Sequence, residues 1–497
     1  MDRRRFLRNS VGLGAAVALQ SAVPARVWAA LLPGDIVDFT AIDLSNAIRT
    51  RRVGCVETMQ AYLQHIHRHN PAYNAIVGMV DDDVLLAQAR DADAALARGE
   101  YRGWMHGMPH AVKDLAPVAG LRFTDGSPMF ANRIAEADSD LVARIRGDGA
   151  IFIGKTNSPE FGLGSQTYNP VFGATGSAWN PALTSGGSSG GAASGLGTHM
   201  LPVADGSDMM GSLRNPGAFN NVIGFRPSTN VMSGRDDDPR PLSTSGPMGR
   251  NTRDTIRFLQ TIAAAPVRGP VDPLALRGSR IAWLGDLDGY LATEPGILGL
   301  CESALGTLRV AGAEIDPTAP VFDPADLLQC WTTLRHSGRR NMQRYLDDPA
   351  TRGALKPELV WEIEQGLTLG ETAVEHANGI RRRWVAEVER LFSEYDFLVL
   401  PTAQVFPFPK DVHWPTQIAG REMDTYHRWM EVVILASLAG VPTINVPVGF
   451  DGQGRPMGMQ VMAKFGADRH VLEFALAYED LTDHLDQRPR LATTASA

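Results

Sequence analysis

Cysteine and lysine are scarce in this chain of 497 residues. The three cysteines, Cys55, Cys301 and Cys330, lie far apart and form no C-x-x-C pair. This spacing excludes a disulfide framework and a thiolate zinc site. The chain has only five lysines, and its formal net charge is −8 at pH 7. Because no basic excess is available to attract phosphate backbones, nucleic-acid binding is not expected.

Long apolar segments are also lacking. The apolar stretch at 11–23 is shorter than the ~20 residues that span a bilayer, and no later uncharged segment reaches that length. Hydrophobic residues make up 44% of the chain and charged residues 21%, without a long block of like charge. This composition is typical of a globular protein rather than a disordered or fibrous one. We therefore expect a folded protein with no stable membrane span.

The N-terminus resembles a twin-arginine export signal. Residues 2–8 read DRRRFLR, in which Arg3 and Arg4 form the pair, and the apolar stretch at 11–23 follows. We expect residues 1–29 to be a signal peptide recognised by the twin-arginine translocation machinery, so that the folded protein works in the periplasm or outside the cell. A retained N-terminal anchor or a plain basic helix is the alternative.

Short apolar runs alternate with amphipathic segments along the rest of the chain. The spacing of apolar residues predicts a helix over 57–69, ended by Asn70-Pro71. Five short apolar runs bounded by turn residues predict buried strands at 150–153, 281–284, 397–400, 444–448 and 459–462. Strands that alternate with helices indicate an α/β fold.

A glycine-rich segment, SGGSSGG at 185–191, carries the first candidate site. It fits a flexible linker, a phosphate-binding loop, or a catalytic serine loop with the pattern G-x-S-x-G around Ser188. In the last case an α/β-hydrolase-type esterase would use Ser188 with His470 or His484. A nucleophile elbow of this type needs a strand before the serine, and residues 181–185 are a poor strand candidate. The esterase is therefore kept only as an alternative.

Two further segments bear on the same chemistry. One is DGSDMMGSLRNP at 205–216, which holds a second serine, and the other is GMPHAVKDL at 107–115, which holds Lys113. From composition alone, Lys113 would form a surface ion pair with Asp114. A lysine inside an otherwise apolar turn is nevertheless unusual in a chain with so few lysines.

Together these three segments resemble the amidase signature family of serine hydrolases. Its Gly-Gly-Ser-Ser-Gly-Gly loop corresponds to 186–191, its Gly-x-Pro-x-x-Val-Lys-Asp segment to 107–114, and its nucleophile segment to 208–216. The similarity extends from about 43 to 479. The resemblance implies a single large α/β/α sandwich around a mixed β-sheet over 30–497, with the signature core at about 105–250 and a helix-rich covering region at about 252–384.

The resemblance also implies roles for individual residues. Ser212 would be the nucleophile, Ser188 the bridging serine, preceded by a cis peptide bond, and Lys113 the base. The oxyanion hole would be formed by the backbone N–H groups of Met209, Met210 and Gly211. Met210 stands where many relatives have glycine, and we expect it to reshape the acyl pocket.

The implied reaction is hydrolysis of a carboxylic amide to an acid and an amine or ammonia, through an acyl-enzyme on Ser212. It requires a small-molecule amide substrate and water, but no cofactor and no metal, and it could extend to carbamates or esters. Because the ordinary pKa of lysine is ~10.4, burial must depress the pKa of Lys113 if this residue is to act as a base. Activity is then expected to rise toward alkaline pH. A non-catalytic amidase-like binding protein is the remaining alternative.

Overall fold

The computed structural model describes residues 36–237, 239–267 and 269–493. The predicted export signal at 1–29 lies outside the described residues. The described strands are β1 (Ile76–Val77), β2 (Pro109–Lys113), β3 (Ile151–Thr156), β4 (Tyr168–Asn169), β5 (Gly173–Ala174), β6 (Val203–Asp208), β7 (Ile223–Arg226), β8 (Thr244–Gly249), β9 (Arg280–Trp283), β10 (Glu314–Pro317), β11 (Phe397–Pro401), β12 (Gln417–Ile418), β13 (Arg421–Glu422), β14 (Thr443–Phe450) and β15 (Pro456–Met462).

A mixed sheet of eight strands organises the fold, in the spatial order β10-β9-β11-β15-β14-β7-β8-β6. Strands β10, β9 and β11 run parallel to one another, and every pair from β11 to β6 is antiparallel. A smaller sheet has the order β1-β3-β2, with β2 parallel to β3. The strands position two of the expected site segments. Lys113 is the last residue of β2, and Asp208 is the last residue of the edge strand β6.

Helices flank the sheets. They are α1 (Ala41–Arg49), α2 (Cys55–Tyr73), α3 (Asp82–Ala97), α4 (Asp140–Gly147), α5 (Gly190–Gly197), α6 (Arg214–Asn220), α7 (Thr229–Ser233), α8 (Thr252–Ile262), α9 (Ile297–Val310), α10 (Pro324–Ser337), α11 (Arg344–Asp347), α12 (Pro349–Arg352), α13 (Pro357–Thr368), α14 (Glu371–Leu391), α15 (Ile434–Ala439) and α16 (Asp468–Leu481). The predicted α/β class, with a mixed sheet between helices, is confirmed.

Local sequence explains where several elements begin and end. Helix α8 starts where the side chain of Asn251 accepts a hydrogen bond from the amide of Asp254, an N-cap arrangement. Strand β14 has the sequence TINVPVGF and is buried over nearly its whole length, as expected for a strand covered on both faces. All five predicted strands are present, with bounds shifted by a few residues.

The predicted end of the helix at Asn70-Pro71 was wrong. Helix α2 continues through Pro71 to Tyr73, and the chain leaves it at Asn74, which has the left-handed conformation. The side chain of Asn70 explains why the helix continues. Its Oδ1 atom accepts hydrogen bonds from the amides of Ala75 and Ile76, which fixes the chain just beyond the helix.

One large apolar core surrounds the eight-stranded sheet. Its buried members come from the strands and from the helices that cover them, including Trp331 of α10 and Trp384 of α14. The region 252–384 is mostly helical, but it also contributes β9 and β10 to the sheet. Among the residues that the structure describes, no helix combines the length and the apolar character needed to cross a bilayer.

Candidate active site

Lys113 is buried at the end of β2, with 2% of its surface exposed. Its Nζ atom donates to three serine hydroxyls: Ser188 Oγ at 2.8 Å, Ser189 Oγ at 2.8 Å and Ser207 Oγ at 3.1 Å. No carboxylate is among these partners. The lysine is therefore held by neutral oxygen atoms, which can exchange a proton with it.

The surroundings of Lys113 favour a neutral amine. Burial lowers the pKa of Lys113 to about 7, although the carboxylates of Asp205 and Asp208 act in the opposite direction. Desolvation wins because the ammonium loses its hydration in a site with no directly paired anion. The expectation of a depressed pKa is thus confirmed, and a large fraction of Lys113 can act as a base near neutral pH.

Asp205 supports the lysine from β6. Its Oδ2 atom accepts the backbone amide of Lys113 at 3.2 Å, and its Oδ1 atom lies 3.1 Å from Nε2 of the buried His110. The carboxylate thus joins β2 to the edge strand of the large sheet. Because it binds the lysine's backbone rather than its amine, it fixes the position of Lys113 and leaves Nζ to the serines.

Ser188 lies in the glycine-rich loop immediately before α5, and the Gly187-Ser188 peptide bond is cis, as the resemblance implies. The loop leaves no room for side chains. A Cβ on Gly187 would come within 2.9 Å of the backbone of Gln166, and one on Gly190 within 2.3 Å of the hydroxyls of Ser185 and Thr167. Close packing of the backbone therefore accounts for the glycines around Ser188.

Ser212 lies in the turn between β6 and α6 and keeps 7% of its surface exposed. The amide of Ser189 donates to the carbonyl oxygen of Ser212 at 3.2 Å, which holds the two serine loops together. Within the described residues, no hydrogen bond joins the hydroxyls of Ser188 and Ser212. Such contacts often form only when substrate binds.

The turn that carries Ser212 is fastened by the fully buried carboxylate of Asp208. It accepts the amides of Gly211 and Leu213 at 3.0 and 3.2 Å and two hydrogen bonds from Arg214, both at 3.0 Å. Arg226 lies 3.2 Å away. Burial would raise the pKa of Asp208, but the two guanidinium groups outweigh it and lower the pKa well below its usual range.

The contact with Asp208 bears on the predicted oxyanion hole. The amide of Gly211 already donates to Asp208, so this donor is engaged within the turn. Gly211 instead provides the left-handed conformation of the turn, with φ of 77°. In this structure the Gly211 amide is bonded to Asp208, and the oxyanion hole of Met209, Met210 and Gly211 stays a prediction.

A narrow cleft opens at Ser212. Met209 and Met210 line it beside Ser212, and residues of the loop 162–165 line a second side. Four further residues line the rest of the cleft: Arg335, Tyr426, His427 and Met430. Met210 is buried, with 6% of its surface exposed, and belongs to the apolar core.

The polar side chains of the cleft converge on the fully buried Glu362 of α13. Its carboxylate lies 2.8 Å from Nε of Arg335, 3.2 Å from Nε of Arg339 and 3.0 Å from Nε2 of His427. It also accepts the hydroxyl of Tyr426. Burial would raise the pKa of Glu362, but the guanidinium of Arg335 and the hydrogen bond with His427 hold it well below its usual value.

Neither histidine of the esterase alternative approaches the serine loops. His470 stacks on Phe397 with ring centroids 4.7 Å apart, and His484 lies beside Tyr478. The hydroxyl of Ser188 instead contacts Lys113. The arrangement does not favour an esterase that uses Ser188 with a histidine.

Comparison with known proteins agrees with this site. The profile of the Amidase family matches residues 57–472. The chain is 29% identical over 474 residues to an acylamidase of Rhodococcus erythropolis, covering 90% of this chain and 97% of the relative. It is 30% identical over 483 residues to a glutamyl-tRNA(Gln) amidotransferase subunit of Thermus thermophilus, covering 88% and 97%.

Among solved structures, a bacterial aryl acylamidase of the amidase signature family has the same fold, with a TM-score of 0.82, 24% identity and coverage of 91% of this chain and 99% of that one. The fold and the comparisons define the chain as a hydrolase. It belongs to the amidase family and hydrolyses amide C–N bonds.

The structure adds site residues that the sequence did not single out. Ser189 and Ser207 share the lysine with Ser188. Arg335 lines the cleft from the helical region, far along the chain from the signature segments, and Glu362 pairs with it. The sequence contained one signal for Glu362. This charged residue falls on the face of α13 that buries Leu359 and Ile363, and a buried charge without a partner would be costly.

Proposed function

We propose that amide hydrolysis proceeds through an acyl-enzyme on Ser212, with Ser188 relaying a proton to Lys113. The observation that carries this proposal is the contact between the buried Lys113 amine and the Ser188 hydroxyl at 2.8 Å, beside the turn that presents Ser212. A serine hydroxyl becomes an effective nucleophile when a neighbouring base removes its proton.

In the proposed first step the Ser212 oxygen attacks the amide carbonyl carbon. Its proton passes to the oxygen of Ser188, which gives its own proton to Nζ of Lys113. The proton then returns by the same route to the nitrogen of the leaving group, and the C–N bond breaks. Water attacks the resulting ester by the reverse relay, which releases the acid and restores Ser212.

The negative charge of the tetrahedral intermediate needs backbone donors. The amides of Met209 and Met210 stand at the nucleophile turn, and we propose them as the oxyanion hole. One such donor contributes about 10²–10³-fold to the rate of comparable hydrolases. The same chemistry would act on carbamates and esters, whose carbonyl carbon is attacked in the same way.

The first experiment is labelling with a fluorophosphonate probe, followed by peptide mass spectrometry. We expect the label on Ser212, its loss in Ser212→Ala and slower labelling in Lys113→Ala. A label on Ser188 would support the esterase alternative, and no label in the wild type would support the non-catalytic alternative.

Ser188 and Ser189 form a matched pair for the relay, because both hydroxyls lie 2.8 Å from Nζ of Lys113. Only Ser188 is assigned the proton transfer. We therefore expect Ser188→Ala to lower kcat by about 10²–10⁴-fold and Ser189→Ala to lower it far less. Equal losses would contradict the assigned route.

We also propose that the protein is exported through the twin-arginine pathway and works in the periplasm or outside the cell. The supporting observation is the sequence DRRRFLR followed by a short apolar stretch. We expect the enzyme in the periplasmic fraction, and its retention in the cytoplasm when Arg3 and Arg4 are both changed to lysine. Arg5→Lys is the matched control and is expected to be exported normally. Retention of the unaltered chain in the cytoplasm would contradict the proposal.

The export proposal bears on the substrate. One relative is a subunit of a glutamyl-tRNA amidotransferase, whereas another is an acylamidase. An exported enzyme meets small amides rather than charged transfer RNA, so we propose a small acyl or aryl amide as the substrate class.

A further inference from the structure

Arg335 brings a buried guanidinium group to the nucleophile cleft. It comes from α10, has 7% of its surface exposed, and lines the same cleft as Ser212 and Met209. Its Nη1 atom lies 3.0 Å from Sδ of Met209. A thioether sulfur is a weak acceptor, so this contact is weaker than one with a carboxylate. The Tyr426 hydroxyl, which also contacts Arg335, already donates its proton to Glu362.

The opposite side of this guanidinium is firmly held. Nε of Arg335 donates to Oε1 of Glu362 at 2.8 Å, and Glu362 is itself fixed by Arg339 at its second oxygen. The hydroxyl of Tyr426 and Nε2 of His427 also contact Oε1 of Glu362. These contacts orient Arg335, so its terminal nitrogens meet the cleft in a fixed direction.

Two guanidinium groups compete for one carboxylate in this cluster, whereas the nearby Lys356 has Glu160 and Glu358 as carboxylate neighbours. The guanidinium groups of Arg335 and Arg339 face one carboxylate, that of Glu362. Burial lowers the pKa of His427 and lowers the pKa of His336 to about 4, so both histidines are neutral at pH 7. A buried guanidinium that shares its carboxylate with a second guanidinium is incompletely paired, and this favours an anionic group in the cleft.

The same cluster offers ligand atoms to a metal ion, but its charge opposes one. His336, Glu362 and His427 bring such atoms within 4.8 Å of one another. The carboxylate that a cation would need is already paired with two guanidinium groups. An entering cation would be repelled by both arginines, whereas an anion would be attracted.

We propose that Arg335 binds a carboxylate of the substrate, so that the enzyme prefers amides that carry a free carboxylate next to the scissile bond. This inference rests on the proposed function, because it places the carboxylate in the cleft that presents Ser212. A planar guanidinium and a carboxylate match in geometry and can form two parallel hydrogen bonds.

The test compares kcat/KM for matched amides that differ in one charge. On the acyl side, the mono-4-nitroanilide of succinic acid is compared with its methyl ester. On the amine side, 4-acetamidobenzoate is compared with its methyl ester. We expect the wild type to prefer the anionic member of at least one pair by about tenfold or more. Arg335→Gln should remove that preference, and Arg335→Lys should restore part of it.

Arg339→Gln is the matched control, since it also loses an ion pair with Glu362 but does not line the cleft. We expect it to keep a larger part of the preference than Arg335→Gln, because it removes one charge from the cluster but not the guanidinium that meets the carboxylate. Each ratio is measured on one protein preparation, so partial unfolding affects both substrates equally and leaves the ratio unchanged.

Two results would overturn the inference while the proposed function stands. In the first, wild-type protein is labelled on Ser212 but shows no preference in either substrate pair. In the second, Arg335→Gln lowers kcat/KM equally for the anionic substrate and its methyl ester. Absence of both labelling and turnover in the wild type would overturn the proposed function together with the inference.

Discussion

A single lysine shows how burial sets the chemistry of this site. Lys113 is buried, its amine donates to three serine hydroxyls, and its pKa is lowered to about 7. Two nearby carboxylates, Asp205 and Asp208, limit the decrease. The base strength of Lys113 is therefore a balance between desolvation and these two charges.

The pH dependence of kcat/KM should report this balance. Because only neutral Lys113 can accept a proton, kcat/KM is expected to rise tenfold per pH unit below about pH 7 and to level off above it. The measurement is hydrolysis of the 4-nitroanilide of butanoic acid from pH 5 to 9. Lys113→Arg, which stays protonated, should be inactive across the range. A value of kcat/KM that still rises tenfold per pH unit between pH 8 and 9 would contradict the assignment of Lys113 as a buried base.

Asp205→Asn should move the inflection. Removal of a carboxylate that raises the pKa of Lys113 lowers this pKa further, so the rising limb is expected about one pH unit lower. Asp114→Asn is the control, because this buried carboxylate lies next to Lys113 in sequence but faces Lys155. An unchanged profile in Asp205→Asn would show that the charge of this carboxylate does not act on the base.

The turn between β6 and α6 shows how the local structure fixes the position of Ser212. The carboxylate of Asp208 accepts hydrogen bonds from two backbone amides of the turn and from Arg214. Gly211 reverses the chain direction with φ of 77°. A Cβ on Gly211 would lie 2.8 Å from both methyl groups of Val433. The turn thus depends on a residue without a side chain for two separate reasons.

Gly211→Ala should therefore be costly. The left-handed conformation costs an alanine about 1 kcal/mol, and the overlap with Val433 adds a packing cost of about 1–3 kcal/mol. We expect the free energy of unfolding to fall by about 2–4 kcal/mol in urea, together with most of the activity. Gly289→Ala is the matched control, since Gly289 has φ of 81° but open space around it. Similar losses in both variants would show that packing at Gly211 contributes nothing.

The elements that could be predicted from the sequence are those with an ordinary apolar pattern, such as β11, β14 and β15. Strands β6 and β8 could not be, because VADGSD and TSGPMG carry polar and glycine residues at buried positions. In β6 the side chains of Asp205 and Ser207 pair with residues of β2 across the site. The signature segments indicated Ser212, Ser188 and Lys113, but the roles of these residues stay predictions.

Across the whole molecule, Glu362 joins distant parts of the chain around the cleft. It contacts Arg335 of α10 and His427 in the segment before the last helices. No periodicity links these positions, which is why the sequence did not predict their meeting. The helical region is thus attached to the site by a buried ionic cluster as well as by apolar packing.

Glu362→Gln should test this attachment. Breaking a buried ion pair by removing one partner costs about 3–5 kcal/mol, and we expect this loss in urea unfolding at pH 7. Because the folded pKa of Glu362 is depressed, its contribution is present above the unfolded value near 4.5 and is lost as pH falls. The difference from the wild type should therefore shrink below about pH 4.5.

The control for this variant lies two residues further along the same helix. Glu364 pairs with Arg352 at the surface, where both side chains are about half exposed, so Glu364→Gln should cost at most about 1 kcal/mol. If Glu362→Gln were no more destabilising than this control, the cluster would not hold the helical region in place.

The hydrogen-bond partners of Arg214 determine when, during synthesis of the chain, the site can form. This arginine, two residues after Ser212, donates to the carbonyl of Val433, to Gln460 and to Ser437. A ribosome adds these three partners more than 200 residues after the serine. A nascent chain that already contains every signature segment therefore lacks the contacts that fix Arg214 beside Ser212, the proposed nucleophile. We expect the enzyme to acquire a reactive serine only when translation is nearly complete, and prematurely terminated chains to be inert toward fluorophosphonates.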